Sequence, residues 1–327
     1  MKVNPDKVLV LVRPGYKKDD ESCWGHSVEV CCMYNNSRSI NNRLKLRLSL
    51  FLGKAQWVMN ADLANIDLDY FDVIIVDQVI YPELIIKYIR SKNNHCKLFY
   101  WLWDSVKYMG DAWCYNGKYH WNVLNNMRKK YNFDILSFDK EDCKKYHFIF
   151  HNQTIPIYND LMREPIQYDS VYFCGHEKGR LPLLKELGVE MLEKGLKPCF
   201  EIVPNIKLQN IDIKGYEHFI SIVKRKSYRE LVKEELSHKA ILEIVQNGQN
   251  GLTWRAIEAL IYKRKLITNY IDIKEYDFYN DSNIFIIGED NFDKLPLFLE
   301  TGMEELSSEI TNRYTFDGWL SSFLNKA

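Results

Sequence analysis

The chain contains no Cys-x-x-Cys pair: its eight cysteines (Cys23, Cys31, Cys32, Cys96, Cys114, Cys143, Cys174 and Cys199) lie scattered. This spacing excludes a zinc ribbon and suggests no disulfide framework, so the thiols are expected to be reduced and mostly packed as small hydrophobes. No apolar run approaches the ~20 residues of a membrane-spanning helix. The start, Met1-Lys2-Val3-Asn4-Pro5-Asp6, leads into a strand pattern and not into a signal peptide, so a cytoplasmic location is expected. Net charge is lacking too, since 44 Lys and Arg balance 44 Asp and Glu. That removes the electrostatic basis for a general nucleic-acid binder, and no nucleic-acid partner is expected. Internal repeats, low-complexity tracts, Gly-x-Gly-x-x-Gly and Gly-Lys-Ser/Thr are all missing, so neither a Rossmann nor a Walker fingerprint is available.

What is present is an alternation. Short apolar runs at residues 8–12, 73–76, 98–102, 135–138, 171–174, 200–203, 241–245, 266–268 and 284–287 are separated by helical patterns. Such alternation predicts βαβ units and parallel sheets, an α/β fold. At 327 residues the chain exceeds one average core, and two doubly wound domains are expected. Residues 155–166 carry two prolines and no helical periodicity, which predicts a linker. The expected division is 1–160, 167–310 and a C-terminal helix at 311–327 packing back across both domains. Residues 293–299 and 303–324 read as helical.

Two glycine loops stand out. Ile241-Leu242-Glu243-Ile244-Val245 is followed by Gln246-Asn247-Gly248-Gln249-Asn250-Gly251-Leu252-Thr253, and then by apolar positions Ala256, Ile257, Leu260 and Ile261 at helical spacing. This reads as a buried strand, a polar turn and a helix capped by Thr253. Such a turn sits at the carboxyl end of its strand, where a helix amino terminus offers free N–H groups to a phosphate. The second loop, Cys174-Gly175-His176-Glu177-Lys178-Gly179-Arg180, also joins a strand to a helix. Its glycines permit close backbone approach to an anion, and Lys178 and Arg180 can neutralise one. In one parallel sheet both loops emerge on the same edge, so together they can hold the two phosphates of a nucleotide diphosphate.

The second half resembles the donor-binding domain of GT-B fold glycosyltransferases, specifically bacterial enzymes of lipopolysaccharide and capsular polysaccharide synthesis. The resemblance lies in residues 169–180, in Gln249-Asn250-Gly251-Leu252-Thr253-Trp254-Arg255-Ala256-Ile257-Glu258-Ala259-Leu260, and in Lys265-Leu266-Ile267-Thr268-Asn269; residues 137–146 add a weaker match. It implies two Rossmann-like doubly wound domains facing a central cleft. It also implies a nucleotide-sugar as co-substrate, with no cofactor and no metal, and a saccharide or lipid-linked oligosaccharide acceptor. Carried over, Glu258 would bind the donor ribose, and Lys178, Arg180 and Arg255 would bind phosphate. Gly251, Leu252 and Thr253 would supply backbone donors, and Gly175 and His176 would line the same site. Many retaining relatives carry a Glu eight residues before the ribose Glu; here that position is Asn250, which tilts the expected stereochemistry toward inversion.

Inverting transfer needs a general base and positive charge at the leaving diphosphate. Asp104, ending the strand run Tyr100-Trp101-Leu102-Trp103, is the leading base candidate and His26 the second. Trp101, Trp103 and Trp113 are candidate acceptor platforms, or else core rings. The metal-binding Asp-x-Asp of the other common glycosyltransferase architecture follows a buried strand, whereas Asp67-Leu68-Asp69 precedes one. The basic run Arg128-Lys129-Lys130 is either a solvated helix end or a contact for anionic lipid, giving peripheral association with a membrane. From other functional classes, a two-domain non-hydrolysing nucleotide-sugar epimerase and a non-catalytic sugar-binding scaffold share the same α/β pattern.

Overall fold

The computed structural model of the chain describes residues 4–12, 28–34, 45, 48, 52, 59–79, 82–106, 121–204, 211–246 and 251–324. The chain divides into two units, Met1–Asn152 with Phe316–Ala327, and Gln153–Thr315.

The first unit is built on β1 (Val8–Val12), β2 (Glu29–Cys32), β3 (Val73–Asp77), β4 (Lys97–Trp101), β5 (Asp134–Ser137) and β6 (Ile149–Phe150). With them run α1 (Ala61–Asn65), α2 (Pro82–Lys92), α3 (Trp121–Tyr131) and α4 (Lys140–Tyr146). The second unit contains β7 (Tyr168–His176), α5 (Leu181–Glu193), β8 (Pro198–Val203), β9 (Ile220–Ile222), α6 (Tyr228–Ser237) and β10 (His238–Glu243), followed by α7 (Trp254–Ile261), β11 (Lys265–Thr268), β12 (Ile284–Ile286), α8 (Leu295–Glu300) and α9 (Ser308–Arg313). The last helix, α10 (Phe316–Leu324), belongs to the first unit.

All strand pairs in both sheets are parallel. Buried on both faces, such strands must be apolar throughout, which is why Val8–Val12 and Val73–Val76 read as unbroken runs. Three strands, β2, β6 and β9, arise where no apolar run predicts them; all three lie at sheet edges. An edge strand is paired on one side only and can be short, so it needs less apolar surface.

The first sheet has the order β2-β1-β3-β4-β5-β6 and the second β12-β11-β10-β7-β8-β9. Numbered within its own unit and taken from the β9 edge, the second sheet runs 3-2-1-4-5-6, the dinucleotide-fold order. Its direction of winding reverses between β7 and β10, and there the loops at the strands' carboxyl ends diverge and leave a crevice. The fold is therefore α/β with two Rossmann-like doubly wound sheets.

The segment expected as a linker, residues 155–166, is packed into the second unit. Ile155, Tyr158 and Leu161 are buried, Tyr158 N–H donates to Tyr262 Oη at 2.7 Å, and Asp160 pairs with Arg229. The change of unit falls earlier, between Asn152 and Gln153. The helix expected over 303–324 is two helices, because Ser307 caps α9 and the chain leaves helical bonding after Arg313. In the first unit, the Trp319 ring of α10 packs 4.4 Å from that of Trp101, and its Nε1–H donates to His151 Nδ1 at 2.7 Å.

Candidate functional site

The two glycine loops meet at the winding reversal of the second sheet. β7 and β10 are hydrogen-bonded neighbours, with Tyr172 opposite Ile241, so the loop leaving β7 and the loop leaving β10 share one edge. Arg180 joins them: its Nε donates to Ile244 O at 2.9 Å and its Nη1 to His176 O at 3.1 Å. The guanidinium expected on phosphate thus also splices two main chains. Gly175 lets this happen, since a Cβ there would lie 3.1 Å from Phe173 Cζ and 3.5 Å from Arg180 Nη1. Lys178 and Gly179 form the loop tip with φ of 40° and 80°, and Arg180 N–H closes the turn on Glu177 O at 2.7 Å. This left-handed pair presents the Lys178 side chain in an exposed position. His176 bridges to the next strand through Nδ1, 3.3 Å from Val203 O. Burial lowers its pKa, and the cationic Lys178, Arg225 and Arg180 lower it further, so it is neutral at pH 7.

Across the crevice, Thr253 caps α7 by accepting Arg255 N–H at 3.1 Å. The same hydroxyl donates to Glu243, and Thr268 Oγ1 donates to the other oxygen of that carboxyl at 2.5 Å. Glu243 is buried at the carboxyl end of β10, and burial pushes its pKa up against the pull of these hydroxyls. Asn269 completes the strand exit, accepting Val245 N–H at 2.7 Å and donating to Val245 O at 3.2 Å. Leu252 is buried and Gly251 adopts a φ of 154°. Asn250 lies outside the described residues. The amino terminus of α7, with Arg255 in its first turn, is thereby aimed at the crevice, a geometry suited to anions.

Glu258 departs from expectation. One turn into α7 the helix is already covered, and Glu258 is 0% exposed. Its carboxyl is taken by Arg255 Nη1, and the same guanidinium pairs with Glu235 of α6. As folded it turns no oxygen toward a ribose, and its partner Arg255, with 19% of its side chain exposed, is the part of the pair that reaches the surface. Glu235, Glu243 and Asn269 were not singled out from the sequence. A glutamate inside the apolar run 241–245 was the one visible signal, because a charge there must be buried.

In the first unit, the turn after β4 is shaped by Gln78, whose Oε1 accepts the N–H groups of Trp103 at 2.7 Å and Asp104 at 3.1 Å. Asp104 is partly exposed at this strand end. Trp101 is 0% exposed, its ring between those of Trp103 at 4.7 Å and Trp319 at 4.4 Å. It is a core ring and not an acceptor platform, because the C-terminal helix covers the face that a sugar would need. Trp103 keeps partial exposure. His26 and Trp113 lie outside the described residues.

Among the described residues, no group of three or more His, Cys, Asp or Glu side chains is arranged to hold a metal ion, and no helix is long and apolar enough to cross a membrane. A cavity of about 510 Å³ opens elsewhere in the second unit, behind α7. Its cations are engaged, Lys263 by Glu305 at 2.9 Å and Arg264 by main-chain carbonyls, so it is poorly suited to a diphosphate.

No family model and no curated protein matches the chain. Solved structures do match. An α-glucosyltransferase in complex with UDP aligns with 98% of this chain and 97% of its own, at 11% identity and a TM-score of 0.54. An α-glucosyltransferase in complex with UDP-glucose and DNA containing an abasic site has the same identity and coverages, with a TM-score of 0.53. HepE of Anabaena, in complex with UDP and glucose, aligns over 98% and 95% of the two chains at 12% identity and a TM-score of 0.49. Likeness at this level of identity is one of fold, and the chain has the two Rossmann-like α/β units of the GT-B glycosyltransferases.

Proposed function

We propose that the chain is a glycosyltransferase that binds a nucleotide-sugar donor at the carboxyl edge of β7 and β10. The sugar passes to a saccharide or lipid-linked saccharide acceptor recognised by the first unit. The observation that carries this reading is the strand order, which puts the two glycine loops on either side of the winding reversal. Lys178, Arg255 and the amino terminus of α7 then oppose the diphosphate charge, and Arg180 fixes the distance between the two loops. This electrostatic set needs no bound metal. Asp104 acts as the general base in a direct displacement with inversion. Bacterial surface polysaccharide assembly is the setting that the resemblance implies. Exposed Lys129 and Lys130 at the end of α3 suit transient contact with anionic lipid on the cytoplasmic face of a membrane.

UDP is the first donor nucleotide to test, because two neighbours with a TM-score above 0.5 hold UDP or UDP-glucose. Thermal unfolding would be followed with UDP, GDP, CMP, ADP and dTDP. A ligand at ~100 times its dissociation constant adds about 2.7 kcal/mol, which raises Tm by several degrees. A selective shift with UDP is expected; no shift with any nucleotide would remove the donor site from this edge. One neighbour's structure contains DNA, whereas the balanced charge of this chain favours a saccharide, so glucosyl transfer to oligosaccharides and to duplex DNA should be compared. Release of free nucleotide-sugar without an acceptor would identify an epimerase instead.

A further inference from the structure

The two faces of the second sheet differ in kind. Val171, Phe173, Phe200, Ile202, Ala240 and Leu242 form an apolar core under α5 and α8. The alternate positions, under α6 and α7, mix the apolar Ile241 with Ser170, Tyr172, Cys174, Glu201 and Glu243. Over this second face lies one guanidinium with two carboxyls. Arg255 Nε is 2.7 Å from Glu235 Oε1, Arg255 Nη1 donates to Glu258, and Arg255 Nη2 donates to Cys174 O at 3.4 Å. Glu235 and Glu258 are 1% and 0% exposed, and both pair with this one guanidinium. Two carboxylates out of water and facing a single cation leave an uncompensated negative charge, which one proton removes.

We propose that Glu235 is a positioning residue for the donor site: it shares one proton with Glu258, and the pair holds the Arg255 guanidinium at the carboxyl end of β7. In this arrangement the Glu235 carbonyl oxygen accepts Arg255 Nε–H, its hydroxyl donates to Glu258, and Glu258 carries the charge opposite Arg255. One guanidinium edge remains on the Cys174 carbonyl, next to the glycine loop. The inference rests on the donor reading above, and it adds a residue from α6 that no loop motif contains.

The other titratable groups packed around Arg255 are Tyr228, Tyr172, Cys174, Lys226 and, stacked on Tyr172 at 4.5 Å, His238, whose pKa burial lowers. Burial pushes Glu235 well above the usual carboxylate range, with Glu258 adding to the shift and Arg255 opposing it. Tyr228 is raised by burial and by Glu258, Tyr172 by burial, and the Cys174 thiol by burial to about 11, so all three stay neutral. Lys226 is held by Glu201 at 2.7 Å, and these carboxylate contacts keep it protonated against its partial burial. Loss of the shared proton adds a negative charge behind Arg255 and tightens its hold on the cluster, at the expense of a bound anion.

The test compares the parent with Glu235→Gln and Glu235→Ala. UDP affinity is measured by calorimetry from pH 6 to 9, and ligand-free Tm over the same range; differences between variant and parent cancel the titration of UDP itself. In the parent, affinity should fall as pH rises. Glu235→Gln, which keeps the shape and cannot ionise, should hold its low-pH affinity throughout. Glu235→Ala should bind UDP more weakly at every pH by on the order of tenfold, the scale of a lost charge-assisted hydrogen bond. Because a raised carboxyl pKa gives stability that is lost as pH rises through it, the ligand-free parent should lose Tm with pH and Glu235→Gln should lose less. A parent-like pH profile of UDP affinity in Glu235→Gln would overturn the proposal while leaving the donor reading intact. Failure of the parent to bind UDP or any other nucleotide diphosphate would overturn both.

Discussion

Thr253 shows how much one side chain can hold at a strand-loop-helix junction. It caps α7 and donates to the buried Glu243 carboxyl, so its removal leaves a helix end and an acid unsatisfied together. Thr253→Ala should destabilise the second unit by about 2 kcal/mol, combining a lost cap with an unpaired buried acceptor. Thr253→Ser should recover most of that, as urea denaturation of both variants would reveal. The cap itself is legible in the sequence, because Thr directly before helical apolar spacing is local information. Glu235 and Glu258 are not legible in the same way. A glutamate in an amphipathic helix reads as solvated until the packing of a second helix removes its water. Trp101 is the converse: an aromatic at a strand end fits a platform or a core equally well, and only Trp319, from the far end of the chain, decides between them.

At the scale of elements, α5 carries a glycine that propensity alone would call a defect. Alanine at position 188 should help an isolated helix by about 1 kcal/mol. In the folded unit its Cβ would lie 2.0 Å from the Phe219 ring, which is itself fixed edge-on against Phe200 at 5.8 Å. Overpacking of this kind costs about 1–3 kcal/mol. Gly188→Ala is therefore expected to lower Tm; an increase would mean that Phe219 can move freely. The edge strands β2, β6 and β9 and the division of the last helical stretch into α9 and α10 escape sequence reading for related reasons. Their lengths are set by what they pack beside, and not by a hydrophobic period of their own.

For the whole molecule, two buried groups of the first unit respond to pH with opposite signs. Burial pushes His151 down to about 4, so it is neutral in the folded unit. The stability this neutral ring carries is lost as pH falls from the ordinary histidine value of 6.5 toward 4, at most about 3 kcal/mol. Burial pushes Asp142 up to about 6 despite its bond from Val106 N–H; it costs stability as pH rises from 3.8 through 6, and returns that stability on acidification. The two offset between pH 6 and 4. Asp142→Asn should remove the offset, so that its Tm falls more steeply than the parent's across this interval in calorimetric scans. An unchanged slope would place the acid sensitivity elsewhere. The sequence by itself determined the alternation of strands and helices, the parallel sheets and the position of both glycine loops at strand ends, because hydrophobic period and turn chemistry act over a few residues. Only the tertiary structure decided the strand order that makes those loops neighbours, the withdrawal of Glu258 and Trp101 from solvent, and the sharing of Arg255 by two acids. Each of these depends on which distant segments exclude water from a group, and desolvation is a property of the folded surroundings, not of the residue.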